Sequence, residues 1–310
     1  MFSVIFPGQG SQFVGMTKDL YDKFDLIKKL YRRADQILNS PLTKIILEGP
    51  EEELKSTENT QPAIFLVSYG IFKLSVNEFG LNLNNANYFA GHSLGEYSAL
   101  SCSGSLDFED ALRILKIRGR AMQNSVPENK GGMTAIIGSS LEIIQKIIDE
   151  NKNKFKCYIA NDNSNQQIVV SGLNSELDLL SDVLNHNKIK NIRLAVSAPF
   201  HCKLMQPATI ALKSELQNIK FKNFENKIIS NVTAKEVDNP EDLKNLLINQ
   251  IESKVRWRES INYIISNKVN KFIEIGPGKI LSNLVKRIDK TVKVSAINNE
   301  EDINELLKND

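Results

Sequence analysis

The 310-residue sequence has few of the residues that staple small proteins or bind metals. It contains only three cysteines, Cys102, Cys157 and Cys202, and no C-x-x-C pair. An odd number of cysteines in this arrangement predicts free thiols in a reducing compartment, and therefore a cytoplasmic protein. A chain of this length can bury a sizeable core without disulfides or metals, so no metal site is expected.

Long apolar runs and concentrated charge are also missing. The N-terminus enters the apolar segment Phe2–Phe6 without a preceding basic region, so no signal peptide is expected, and the apolar runs are too short to span a bilayer. With 41% hydrophobic and 25% charged residues, the composition is typical of a soluble globular chain of one large domain or two modest ones. A net charge of +2 without an arginine-rich tract does not indicate a nucleic-acid partner.

The pattern Gly91-x-Ser93-x-Gly95 is typical of a serine at a sharp turn between a strand and a helix. Residues 87–90 are predicted as a short buried strand, and residues 96–101 as a helix of small side chains. Glycines are needed in such a turn because larger side chains would clash, and its apex lies at a helix N-terminus, where free N–H groups can hold an oxyanion. The pattern alone is weak, but between a strand and a helix it indicates a nucleophile.

Residues 128–196 have an element pattern of their own. After a turn-rich linker the order is β-α-β-β-α-β, which is the ferredoxin-like signature. The segments 1–127 and 197–310 predict a larger subdomain that begins with the strand Phe2–Phe6 and a glycine-rich loop at 7–12. This loop is either a tight turn or a place where the backbone approaches a ligand; a dinucleotide fingerprint fails because residue 13 is not glycine. We therefore expect an α/β protein with an inserted subdomain.

Four local expectations concern the larger subdomain. Residues 17–39 are predicted as one amphipathic helix, and 48–58 as a solvated acidic segment. Pro62 is expected to begin a buried apolar helix that ends near Leu74. The last dozen residues are expected to be a charged tail.

The helix predicted after Asp107 carries a cation on its apolar face. At about 100° per residue, Arg118 lies between Leu115 and Met122, whereas Arg120 lies on the opposite, solvated face. Burying an unpaired guanidinium is costly. Arg118 therefore needs either an internal carboxylate or a site whose ligand supplies one, and the sequence leaves both open.

A catalytic serine needs a base, most often histidine, and the chain has only three. His92 adjoins Ser93, so its side chain is expected on the opposite face, and His186 lies in a polar helix end of the insertion. His201, where the chain re-enters the larger subdomain, is therefore the predicted base. No acidic residue between Ser93 and His201 stands in a recognisable strand-end loop, so a backbone or amide carbonyl is expected to orient the ring, which argues mildly against a standard esterase.

The chain resembles malonyl-CoA:acyl-carrier-protein transacylases over nearly its whole length. The matching segments, in the family's order, are residues 6–12, 91–96, 118–123, 199–201, Gln250 with 255–257, and 274–278. The resemblance implies an α/β-hydrolase-like large subdomain with a ferredoxin-like insertion. It also implies a monomeric enzyme of fatty acid synthesis that transfers malonyl from malonyl-CoA to the phosphopantetheine thiol of acyl carrier protein, without a cofactor.

The same resemblance implies the catalytic roles. Ser93 would attack the malonyl thioester, and His201 would take its proton and later give one to the departing thiolate. The backbone N–H groups of Gln9 and Leu94 would form the oxyanion hole. The acyl-serine would then be attacked by the carrier-protein thiol, which makes a ping-pong cycle.

Three further residues receive roles from the resemblance. Arg118 would bind the free malonyl carboxylate through two hydrogen bonds. Gln250 would orient His201 through a carbonyl oxygen. Phe200 favours malonyl, because in related domains serine at this position accompanies methylmalonyl.

Other functions share part of this constellation. A serine esterase or thioesterase, or an acyl hydrolase of the same fold, would use Ser93 and His201 but has no use for a cation at Arg118. A carrier-protein docking module with an inactive site is disfavoured, because no catalytic position is missing. Neither the docking surface nor the choice between fatty-acid and polyketide synthesis follows from the sequence.

Overall fold

The structure, a computed structural model, describes residues 1–224 and 226–309. The described strands are β1 (Phe2–Phe6), β2 (Tyr88–Gly91), β3 (Gly131–Ile137), β4 (Tyr158–Ser164), β5 (Gln167–Leu173), β6 (Lys190–Arg193), β7 (Lys227–Ile229), β8 (Glu236–Val237), β9 (Lys271–Ile275) and β10 (Lys293–Ile297). The described helices are α1 (Lys18–Lys23), α2 (Asp25–Leu38), α3 (Leu42–Glu48), α4 (Glu51–Lys55), α5 (Thr57–Asn77), α6 (Gly95–Cys102), α7 (Phe108–Gln123), α8 (Leu141–Glu150), α9 (Asn174–His186), α10 (Gln206–Gln217), α11 (Pro240–Gln250), α12 (Trp257–Ser266), α13 (Ile280–Ile288) and α14 (Glu300–Asn309). Short 3₁₀ turns lie at Leu83–Asn85 and Lys203–Met205.

The larger sheet has the strand order β10-β9-β1-β2-β7-β8, and every neighbouring pair except β7–β8 is parallel. These strands are apolar because helices cover both faces of the sheet. Phe6 of β1 pairs with Gly91 of β2, so both strands end at the same edge. The loops that follow β1, β2 and β7 therefore meet there, which is where open α/β sheets bind ligands.

The smaller sheet is antiparallel, in the order β4-β5-β3-β6. Helices α8 and α9 pack on one face of it through Ile144, Leu177 and Leu180. This order is the one that a ferredoxin-like β-α-β-β-α-β unit forms, so the predicted α/β class with a ferredoxin-like insertion is confirmed. The bounds 128–196 for the insertion stay a prediction.

The smaller sheet is attached to the larger one close to the sharp turn around Ser93 between β2 and α6, which we call the elbow. Val255, just before α12, forms a parallel bridge with Asn161 of β4. Next to it, Arg258 binds the buried carboxylate of Asp162, with its Nε 2.9 Å from Oδ1. The two segments in which the chain passes from one sheet to the other also contact each other, because the Ser197 hydroxyl donates to Gln123 Oε1 at 2.9 Å. These contacts hold the two sheets against each other.

Three sequence expectations for the larger subdomain were wrong, whereas the acidic side chains of the segment 48–58 are largely solvated, as expected. Residues 17–39 form two helices, because Phe24 is extended and packs on Phe79. Pro62 lies inside α5, and α4 occupies part of the acidic segment with Leu54 buried. The polar residues before Pro62 read as a loop, but they have partners inside the fold, as when the Thr60 hydroxyl donates to Leu54 O.

The C-terminal expectation also needs correction. Of the last dozen residues, those that the structure describes, 299–309, are not a free charged tail. Strand β10 extends the larger sheet beside β9, and α14 follows it with Ile303 and Leu306 buried. Two apolar residues three positions apart suffice to hold one face of a charged helix. Of the helices described, none combines the length and hydropathy that spanning a membrane requires.

Candidate active site

Ser93 lies at the apex of the turn between β2 and α6, with a left-handed φ of 54°. The glycines on either side are required by close approach and not by their own φ. A Cβ on Gly91 would lie 1.9 Å from the backbone of Gly95, and a Cβ on Gly95 would lie 2.3 Å from the carbonyl oxygen of Phe6. The elbow predicted from the sequence is therefore present, and it holds Ser93 in a backbone conformation that serine rarely adopts.

We expect Gly91→Ala to lower the free energy of unfolding by roughly 4 kcal/mol, because the added methyl cannot fit without moving the elbow. The matched control is Gly104→Ala, where φ is +83° but nothing lies within 4 Å of the added methyl. Backbone strain alone should cost about 1 kcal/mol there. Urea unfolding of both variants measures the difference, and equal losses would contradict the close-packing explanation.

His201 lies on the serine, with its Nε2 2.8 Å from Ser93 Oγ. Its Nδ1 lies 3.0 Å from the backbone carbonyl oxygen of Gln250. Since a carbonyl only accepts, Nδ1 carries the proton and Nε2 is free to accept from the serine hydroxyl. Burial, together with the nearby Arg118 charge, lowers the pKa of His201 to about 3. The imidazole is therefore neutral at physiological pH, which is the form that can act as a base.

The other two histidines lie where the sequence expectation placed them. His92 turns away from Ser93, and its Nε2 lies 2.9 Å from Asn163 Oδ1 on β4. His186 is exposed at the end of α9. Neither contacts the serine hydroxyl, so His201 is the histidine that can serve as its base.

Arg118 is 0% exposed and lies directly behind the serine. Its Nη1 donates to Gln61 Oε1 at 2.7 Å, and its Nη2 donates to Gln250 Oε1 at 2.9 Å and to Ser93 Oγ at 3.0 Å. Burial lowers the pKa of the guanidinium, but arginine stays charged in proteins. No carboxylate of the described residues 1–224 and 226–309 forms an ion pair with it. An internal carboxylate in direct contact with Arg118 is therefore not found among these residues, and Glu96 acts on the guanidinium only electrostatically, without an ion pair.

A cleft of about 450 Å³ opens over Ser93 between the two sheets. Phe200 lies in its wall and is 6% exposed. Side chains of both sheets and their loops line the cleft, among them Gln9, Leu94, Met133, Val169, His201 and Leu281. Apolar walls around a few polar groups are typical of a site that binds a small acyl chain.

The loop after β1 lies against the elbow. A Cβ on Gly8 would lie 2.6 Å from the carbonyl oxygen of His92, so the loop backbone packs on the turn. This contact brings Gln9 to the cleft, and Leu94 immediately precedes the first residue of α6. Within the part of the chain that the structure describes, no hydrogen bond from either backbone N–H is found. Both N–H groups are thus available to an oxyanion beside Ser93.

Three residues of the site were not assigned a role by the sequence interpretation. Gln61 holds Arg118, and Asn231 Oδ1 accepts the Ser93 N–H at 2.7 Å. Glu96 is 0% exposed and accepts from the Gln250 side chain at 2.8 Å. Two signals could have indicated the first two: a lone glutamine at the start of an apolar helix, and an asparagine two residues after a buried parallel strand.

The cysteines and the possible metal-ligating side chains give no indication of a second reactive group. All three cysteines are free and buried, and burial raises the pKa of Cys157 and Cys202 to about 12, so these thiols stay protonated. Throughout residues 1–224 and 226–309, no group of three or more His, Cys, Asp or Glu side chains could hold a metal ion.

Comparison with known proteins gives one consistent result. The acyl transferase domain family matches residues 3–309. The malonyl CoA-acyl carrier protein transacylase of Bacillus subtilis (strain 168) is 41% identical over 301 residues, which cover 96% of this chain and 94% of that protein. The crystal structure of acyl-carrier-protein-S-malonyltransferase from Bartonella henselae matches with a TM-score of 0.95 and 38% identity, over 99% of this chain and 98% of that one.

A second solved structure contains a partner. It is described as a type II PKS acyl-carrier protein in complex with its malonyl-transacylase. It matches with a TM-score of 0.95 and 36% identity, over 100% of this chain and 99% of that chain. The chain therefore belongs to the acyl transferase domain family, and within it to the malonyl CoA-acyl carrier protein transacylases.

Proposed function

We propose that the protein transfers a malonyl group from malonyl-CoA to the thiol of an acyl carrier protein through a malonyl-Ser93 intermediate. As a member of its family it is an acyltransferase. One observation carries the proposal. The Ser93 hydroxyl oxygen lies 2.8 Å from the neutral base His201 and 3.0 Å from the buried cation Arg118.

In the first half of the cycle, Ser93 Oγ attacks the thioester carbonyl while His201 Nε2 takes the hydroxyl proton. The tetrahedral oxyanion is held by the N–H groups of Gln9 and Leu94. When the carbon–sulfur bond breaks, the imidazolium returns its proton to the CoA thiolate. The second half runs in reverse, with the carrier-protein thiol giving its proton to His201 and attacking the acyl-serine.

Arg118 is proposed to bind the free carboxylate of the malonyl group. In malonyl thioesters a single methylene separates that carboxylate from the reacting carbonyl. The cation must therefore lie next to the nucleophile, as the 3.0 Å contact between Arg118 Nη2 and Ser93 Oγ allows. Charge-assisted hydrogen bonds in a buried site are strong enough to select the acyl group. Phe200, in the cleft wall, is proposed to disfavour a substituent on the methylene carbon.

Gln250 is proposed to orient His201 through its backbone carbonyl, in the place where hydrolases usually have a carboxylate. The solved complex of a related transacylase with its acyl-carrier protein supports such a protein as acceptor. We further propose that the chain acts as a monomer in the cytoplasm, supplies fatty acid synthesis, and needs no cofactor, since the cycle above uses only protein groups and two thiols.

A chase experiment tests this function against hydrolysis. The protein is first labelled with radioactive malonyl-CoA, freed of CoA, and then mixed with holo-acyl carrier protein or with buffer alone. We expect the label to move to the carrier protein within the first turnovers and to remain on the enzyme much longer in buffer. Apo-carrier protein, which lacks the thiol, is the control. Rapid release as free malonate in buffer would instead identify an acyl hydrolase of the same fold.

A further inference from the structure

Glu96 is a buried acid at the active site for which the cycle above has no use. It lies in the first turn of α6, three residues after the nucleophile, and is 0% exposed. It forms no ion pair within the described residues, and its Oε1 has no hydrogen-bond partner there. Only Oε2 is engaged, by the backbone N–H of Asn231 at 3.0 Å and the Gln250 Nε2 at 2.8 Å. Burying a carboxylate without an ion pair costs free energy of folding, so a role for it should be sought.

Its contact with Gln250 helps to determine which way that amide faces, together with the carbonyl oxygen of Ser93 and the guanidinium of Arg118. An ionised carboxylate can only accept hydrogen bonds, so the amide nitrogen of Gln250 must face Glu96. The same nitrogen also lies 3.1 Å from the carbonyl oxygen of Ser93. The amide oxygen is thereby left for Arg118, whose Nη2 it accepts from at 2.9 Å. If the amide were reversed, its N–H groups would face the guanidinium and its oxygen would face the carboxylate.

Glu96 reaches the nucleophile by a second route. It holds the backbone of Asn231, whose side-chain oxygen accepts the Ser93 N–H at 2.7 Å and whose amide nitrogen donates to Gly91 O at 2.7 Å. The buried carboxylate of Glu96 thus contacts both the residue that holds the Ser93 turn and the amide that accepts a hydrogen bond from Arg118.

We propose that Glu96 is a positioning residue that orients the Gln250 amide and, through it, the guanidinium of Arg118 beside Ser93. In this way Glu96 strengthens the preference of the site for acyl groups with a free carboxylate. The inference rests on the proposed malonyl transfer. Because Glu96 acts through Gln250 on Arg118, removal of its carboxylate reduces the transfer of malonyl more than the transfer of acetyl, which has no carboxylate for Arg118 to bind.

The ionisation of Glu96 makes the effect depend on pH. Burial raises its pKa to about 7, against the opposing influence of Asn231, Gln250 and the Arg118 charge. Arg118 faces it from α7 and Tyr97 adjoins it on α6; burial raises the pKa of Tyr97 to about 12, so that group stays neutral. A protonated carboxyl can donate to an amide oxygen and no longer enforces the orientation of Gln250. The malonyl preference is therefore full above pH 7 and declines as the pH falls through 7, far above the range in which His201 titrates.

The first test compares Glu96→Gln with wild type, using holo-acyl carrier protein as acceptor and malonyl-CoA or acetyl-CoA as donor at pH 8. We expect the ratio of malonyl to acetyl kcat/KM to fall about tenfold in the variant, the size of a coupling between touching residues. The matched control is Glu274→Gln, another buried carboxylate, which accepts from the N–H groups of Leu281 and Ser282 and has no contact with Gln250 or Arg118 among the described residues. Its ratio should stay within about twofold of wild type, since general loosening affects both donors alike.

A double variant tests the route through Gln250. If Glu96 acts through that amide, Glu96→Gln with Gln250→Leu has the same malonyl-to-acetyl ratio as Gln250→Leu alone. The wild-type ratio is also measured from pH 6 to pH 8, which needs no variant to fold. We expect a decline below pH 7 that is absent in Glu96→Gln. An unchanged ratio in Glu96→Gln, additive effects in the double variant, or a flat wild-type profile would each overturn the role of Glu96. A wild-type protein that transfers no malonyl would instead overturn the proposed function.

Discussion

Ser93→Ala should abolish the incorporation of radioactive malonyl from malonyl-CoA into the protein. The acyl group is expected to be held only by Ser93 Oγ, which is the atom that contacts both His201 and Arg118. Removing the nucleophile of a serine enzyme lowers the rate by roughly 10⁴- to 10⁶-fold, because the residues of the site act as a unit. Label on the intact protein, measured by mass spectrometry or scintillation counting after denaturation, reports the loss.

The matched control for this experiment is Ser98→Ala. Ser98 lies on α6 of the same elbow, is 0% exposed, and its hydroxyl has no hydrogen-bond partner among the described residues. Its removal should leave labelling within a few fold of wild type. Stoichiometric label on the Ser93→Ala protein would show that another residue carries the acyl group, and the proposed intermediate would have to be abandoned.

Arg118→Ala should reduce kcat/KM for malonyl-CoA by roughly 10²- to 10³-fold, whereas kcat/KM for acetyl-CoA should fall much less. Removing one partner of a buried ion pair costs about 3–5 kcal/mol, and the malonyl carboxylate would lose its only proposed cation. The acetyl group has no charge to pair, so the ratio of the two rates isolates the effect on the carboxylate from general damage to the fold.

Arg120→Ala is the control for Arg118→Ala. Arg120 lies on the same helix, two residues further on, but its side chain is 64% exposed and pairs with Glu58 at the surface. Such an ion pair contributes little, so both donors should be used at nearly the wild-type rate. If Arg118→Ala left the malonyl-to-acetyl ratio unchanged, the guanidinium would have a structural role and the acyl specificity would need another source.

Short-range patterns predicted much of the candidate site. The elbow around Ser93 depends on glycines two positions away, and His201 followed by elimination among three histidines. The burial of Arg118 followed from helical periodicity alone, because its position relative to Leu115 and Met122 is a property of one helix. The resemblance named Gln250, and the structure places its backbone carbonyl, not its side chain, on the imidazole.

Predictions failed where apolar content was low or where polar residues were buried. Strand β10 was missed because it is short and largely half-exposed, and α14 was missed because only three of its ten residues are apolar. The start of α5 was predicted too late because Thr57 and Gln61 are polar residues of the kind that loops contain. The amide of Gln61 is buried with partners far away in the chain: Arg118, 57 positions on, donates to its oxygen, and its nitrogen donates to Met122 Sδ. No local pattern contains such a contact.

The sequence by itself predicted Ser93 as nucleophile and the burial of Arg118, because each depends on neighbours within one turn or one helix, and it predicted His201 as the base because the chain has only three histidines. Only the tertiary structure decided which atoms of these residues form hydrogen bonds with one another. Asn231 reaches Ser93 because β7 lies beside β2, and Glu96 reaches Gln250 across 154 positions. Hydrogen bonds of this kind depend on which backbone and amide atoms the fold brings to about 3 Å from each other. Every residue has the same backbone atoms, so the sequence carries no signal for these contacts.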